Sequence, residues 1–95
     1  MIIIDTSHPV TNKAIRIWGV EGQKAILIEE CAECISALAR FNRKRTGKLP
    51  VAEECADVIV SMMSVIPALD IEEDVKKFIK CKLERLNGIN NGEKR

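Results

Sequence analysis

Two short acidic runs are the residues of this 95-residue chain best suited to chemistry: Glu29-Glu30-Cys31-Ala32-Glu33 and Glu53-Glu54-Cys55-Ala56-Asp57. On a helix turning about 100° per residue, Glu29, Glu30 and Glu33 share one arc of about 100°. Apolar positions such as Leu27, Cys31, Ile35 and Leu38 take the remaining side. Glu54 and Asp57 stand three apart and are therefore helical neighbours. Asp57 lies in a run otherwise made of Ala, Val, Ile and Met, where a charge is costly unless it is paired or metal-bound. A single Glu-rich run is commonly a solvated helix face. Two of them on successive helices concentrate like charges that repel, and a divalent cation relieves both costs. Carboxylate oxygens suit magnesium, which keeps several waters and takes phosphate oxygens as further ligands.

No other constellation competes. His8, the single histidine, lies outside both runs and reads as a surface residue near a helix start. Cys31 and Cys34 form a C-x-x-C inside a strongly helical stretch, whereas a redox pair belongs at a helix start. Cys55 and Cys81 are too far apart to complete a zinc site. All four cysteines are expected to be small buried apolar residues, kept reduced. A net charge of +1 gives no general attraction to nucleic acid or to an acidic membrane, although basic residues gather between 40 and 48 and between 76 and 85. Bare carboxylates would repel phosphates. No apolar run nears the roughly 20 residues of a membrane span, and Met1-Ile2-Ile3-Ile4 is too soon followed by Asp5 to be a signal peptide. A cytoplasmic protein without membrane or nucleic-acid partners is expected.

The elements that must position the acids are helices. Apolar residues make up 46% of the chain and the aromatics are few, which suits one all-α domain over residues 1–95. Met1 to Ile4 is the only strand candidate. Ser7 is placed to cap a first helix, with Pro9 in its first turn and an end near Gly19. A second runs from about Gly22 to Arg45. Thr46 to Leu49 reads as a loop, and Pro50 opens a third helix to about Ala68, with Pro67 disturbing its last turn. Asp70 and Glu73 have the spacing of a capping box for a fourth, which Gly88 stops after about Asn87, leaving a frayed tail over about 89–95. Helices two and three, joined by a short loop, should pack antiparallel. Helix three is apolar around most of its circumference and must be central. Four helices of this length hardly enclose it, so a homo-oligomer, dimer or tetramer, is expected.

Helix four carries an apolar stripe of Val75, Phe78, Ile79, Leu83 and Leu86, and Lys82 falls within it, between Phe78 and Leu86. Such a lysine either snorkels out along its stem or aims its ammonium at the carboxylates or at a phosphate. Arg85, at the edge of the stripe, can join it.

The spacing Glu29-Glu30-x-x-Glu33, 20 residues, Glu54-x-x-Asp57 resembles the E-E-x-x-E … E-x-x-D signature of the MazG-like nucleotide pyrophosphohydrolases. That all-α superfamily also holds dimeric dUTPases, dCTP pyrophosphatases and phosphoribosyl-ATP pyrophosphatases. Trp18-Gly19 followed by Gln23 resembles the entry to the first signature helix, Ala56-Asp57-Val58 the A-D-V, and Lys82 to Leu86 the basic fourth helix. The resemblance covers residues 15 to 88. It implies a four-helix MazG-like bundle completed by homo-oligomerisation. It also implies magnesium, or manganese, held by Glu30, Glu33, Glu54 and Asp57. Glu29 would lie beside them and share the catalytic work with Glu30. Lys82, Arg85, Gln23 and Trp18 would meet the substrate, Trp18 serving either to stack a base or to fill the core. The implied reaction is hydrolysis of a nucleoside or deoxynucleoside triphosphate to monophosphate and pyrophosphate by metal-activated water. Two alternatives stand beside it: a non-catalytic helical oligomer serving as an interaction or nucleotide-sensing module, and an enzyme like the phosphoribosyl-ATP pyrophosphatases. No segment reads as a base-binding extension, so base preference does not follow.

Overall fold

Aliphatic side chains at helical spacing, punctuated by Pro and Gly, build three helices in the computed structural model, which describes residues 4–92. They are α1 (Pro9–Asn42), α2 (Lys48–Ala68) and α3 (Glu72–Asn90), and no strand occurs among the described residues. Most of the strand candidate at Met1 to Ile4, and residues 93–95 of the expected tail, lie outside the described residues.

The expected first and second helices are one 34-residue element, kinked at Gly19 (φ 74°, ψ 172°). The break consumes a single residue and no loop follows. That backbone conformation is open essentially only to glycine. Gln23, buried beside the break, donates its amide to the Ala14 carbonyl on the other side at 3.5 Å. The cap of α1 is His8, whose Nδ1 accepts the Val10 N–H at 3.1 Å. Ser7, expected in that role, donates its hydroxyl to Asp5 at 2.8 Å instead.

Both helix junctions end in left-handed residues that are not glycine. Lys44 (φ 59°) follows α1, and the Arg45 N–H reaches back to the Arg40 carbonyl at 2.9 Å. Asp70 (φ 54°) follows α2, and the Ile71 N–H reaches the Ile66 carbonyl at 3.2 Å. These six-to-one bonds are Schellman stops. They correct two expected boundaries. α1 ends before Arg45, and Asp70 closes α2 rather than capping α3, whose N-cap is Ile71 with no side-chain cap. Glu72, Glu73 and Asp74 in the first turn of α3 favour its positive end instead. α2 begins at Lys48, two residues before the Pro50 expected to open it, and Pro50 falls in its first turn, where its missing N–H would be unpaired anyway. Gly88 does not stop α3, which continues to Asn90.

α1 and α2 pack as an antiparallel hairpin, whereas α3 meets α2 sparsely and α1 not at all. The core is small: Ala37, Val65 and Ile66, with Thr11, Gln23, Ser61 and Ser64 buried beside them. The radius of gyration is 15.8 Å, against about 12.4 Å for a compact chain of this length. The accessible surface is 7534 Å², some 2,000 Å² above the roughly 5,500 Å² expected of a folded monomer of this mass. Within one chain, therefore, α2 is not enclosed and α3 does not close a bundle.

The backbone geometry makes a paired prediction. Gly19→Ala should lose about 1–3 kcal/mol, since its φ and ψ suit no other residue, whereas Lys44→Gly should gain up to about 1 kcal/mol by relieving a left-handed lysine. Thermal unfolding of the two variants checks both signs; an unchanged midpoint in Gly19→Ala would contradict the kink.

Candidate metal centre

The seam between α1 and α2 follows from helical spacing. Along α1, Glu30, Cys34 and Ala37 recur at intervals of four and three and all turn inward, Ala37 fully. Along α2, Glu54, Val58, Ser61 and Val65 do the same. Two carboxylates thus occupy stripe positions that an amphipathic helix ordinarily gives to apolar side chains.

Carboxylate oxygens of Glu30, Glu33 and Glu54 lie within 4.8 Å of one another. Glu30 Oε2 and Glu54 Oε2 are buried and have no hydrogen-bond partner, a rare condition for a buried acceptor. Burial raises the Glu30 carboxyl above its usual range, and the charges of Glu33, Asp57, Glu54 and Glu29 raise it further. Glu54 is raised in the same way, by burial first and then by Glu33, Asp57 and Glu53. The ion pairs among the described residues, Lys24–Glu21 at 2.9 Å and Lys76–Glu73 at 3.4 Å, lie elsewhere on the surface. No cation among the described residues pairs with the cluster.

Of the four expected ligands, three converge. Asp57 is exposed and stands outside the 4.8 Å set, close enough for its charge to act on both Glu30 and Glu54. Glu29 is exposed beside Glu30. Trp18 is 67% exposed at the kink, so it does not fill the core. Gln23 is buried on the Ala14 carbonyl, where it braces the backbone. Lys82 and Arg85 line a shallow cleft with Leu86 and Ile89, all on α3. Neither is among the charges that act on Glu30 or Glu54, so α3 does not close over its own chain's acids.

One neighbour was not apparent as such in the sequence. Burial pushes the Cys34 thiol up, and the adjoining Cys55 and the charge of Glu54 push it further. The signal for it was present, since Cys34 stands one turn from Glu30 and Cys55 follows Glu54. A thiol held protonated is a poor nucleophile and a poor metal ligand, which leaves the carboxylates as the donors. The four cysteines are free, but none is buried as expected: Cys31 and Cys34 are half-buried, and Cys55 and Cys81 are exposed.

Compared with protein-family models, with curated proteins and with solved structures, the chain gives no match. No helix among the described residues is long and apolar enough to cross a membrane.

The raised carboxyls set the sign of a pH effect. An acid whose pKa is higher folded than unfolded destabilises the fold above the folded value, and the cost fades as pH falls to the ordinary value, here 4.5. Without divalent cations at neutral pH, Glu30→Gln and Glu54→Gln should therefore melt above the wild type. The gap should close below pH 4.5. Melting curves across that range check it, and a gap of the opposite sign at neutral pH would contradict the crowding of charge.

Proposed function

We propose that this chain is a magnesium-dependent hydrolase that splits nucleoside triphosphates into monophosphate and pyrophosphate. The observation that carries the reading is the pair of buried, partnerless oxygens, Glu30 Oε2 and Glu54 Oε2, facing Glu33. The donor set is carboxylate oxygen throughout, which fits magnesium or manganese and disfavours thiophilic metals. Glu30, Glu33 and Glu54 would hold the ion, with Asp57 joining from α2. Bound there, it would neutralise triphosphate charge and make a coordinated water more acidic.

The chain's own residues divide the remaining work. Glu29, exposed beside Glu30, accepts the proton of the attacking water while Glu30 orients the centre. Lys82 and Arg85 take phosphate oxygens through charge-assisted hydrogen bonds. Trp18 offers its exposed ring to a base, and Gln23 acts indirectly by bracing the kink that carries Trp18. The resemblance of the two acidic runs to the MazG-like signature supports the same reaction class. The large uncovered apolar surface supports a homo-oligomer in which further copies complete a four-helix bundle.

A panel of ribo- and deoxyribonucleoside triphosphates with magnesium, scored for pyrophosphate against orthophosphate, tests the reading and reveals the base preference. Pyrophosphate is the expected product. Glu33→Gln and Asp57→Asn should nearly abolish its release while leaving helical content unchanged. Lys82→Met should lower kcat/KM by roughly tenfold to a hundredfold, the range of one charge-assisted contact. Orthophosphate as product, or full turnover in Glu33→Gln, overturns the assignment. Metal binding without turnover on any substrate would favour the non-catalytic oligomer.

A further inference from the structure

We propose that α3 docks on a second copy of this chain and there delivers Lys82 and Arg85 to that copy's acidic cluster. The inference rests on reading the cluster as a metal and phosphate site, and it adds where the site's cations come from.

Within one chain the two halves of the site never meet. The cleft holding Lys82 and Arg85 is built from α3 alone, and α3 makes no contact with α1, which carries Glu30 and Glu33. Neither basic residue has an ion-pair partner among the described residues. Among the same residues, the carboxylates likewise lack a cation. Snorkelling does not account for Lys82, because its stem has no covered apolar surface to follow. Its neighbours Phe78, Leu83 and Leu86 are themselves 59%, 61% and 50% exposed.

A second copy is the occupant that satisfies all of this. The same sequence carries an unmatched set of acids and an unmatched set of bases. Exposed apolar side chains, Leu83 and Leu86, accompany the basic residues on α3. A two-fold axis lets each chain give its α3 and receive the other's, so both deficits are met at once. The area agrees. The surplus surface of the single chain, about 2,000 Å², exceeds the roughly 800 Å² per partner of a standard interface and suits an obligate one.

The test mixes ¹⁴N- and ¹⁵N-labelled full-length protein, joins amines to adjacent carboxylates with a carbodiimide, and reads the linked peptides by mass spectrometry alongside sedimentation equilibrium. The expected result is a dimer in which Lys82 is linked to Glu33, Glu54 or Asp57 of the opposite isotope. Leu83→Glu, at an exposed position and so compatible with folding, should weaken the dimer by roughly thirtyfold or more, as loss of an interface anchor does. Same-isotope links alone would mean that α3 folds back on its own hairpin and would overturn the proposal. So would a monomer at tens of micromolar (a range well above ordinary interface affinities), or a dimer that lacks the Lys82 link. The readout needs no turnover. A protein that hydrolyses nothing yet gives opposite-isotope links keeps the intermolecular contact and loses the hydrolase reading, while an active monomer does the reverse.

Discussion

The structure turns on one unfavourable contact: Glu30 and Glu54, carried by neighbouring helices, meet in the seam with Glu33 beside them and no counter-charge among the described residues. Those positions would stabilise the hairpin more if they were apolar, since buried like charges oppose packing. The rest of the hairpin has to hold against this contact. Small buried residues, Ala37, Ser61 and Ser64, let the two helices approach, and the short turn through Lys44 fixes their register. On the proposed reading, a divalent cation would convert the same contact from repulsion into a bound centre.

This view explains why the single chain looks unfinished. Its large apolar side chains are mostly uncovered, and the third helix stands away from the first. A 95-residue chain with so small a core has little stability to spare, and it also bears a charged seam. On the reading argued above, two additions make up the shortfall: an ion in the seam and further copies of the chain over α2 and α3. The kink at Gly19 serves a separate purpose. It sets the first ten residues of α1 apart from the rest of the helix, and Trp18 beside it lies at the surface.

Much of this was readable from residue spacing. The all-helical architecture, the antiparallel pairing of the helices that carry the acids, and the convergence of Glu30, Glu33 and Glu54 all follow from a 3.6-residue period and a short loop. Helix ends were less readable, because they depend on single backbone conformations. Gly19 signalled an end, yet the helix resumes after one residue. Asp70 had the side chain of a cap, but its left-handed backbone is used to finish α2. The placement of α3 was not readable at all from the chain alone. Its apolar stripe says that it must pack, and does not say on which molecule.

The central claim, that the seam carboxylates form a divalent-cation site, is met most directly by titrating manganese into the wild type and into Glu54→Gln and following the free ion by electron paramagnetic resonance. The account predicts saturable binding to the wild type that magnesium displaces, and binding weaker by roughly tenfold or more in Glu54→Gln, as for loss of one charged ligand contact. Absence of saturable binding, or equal affinity in the two proteins, would contradict it.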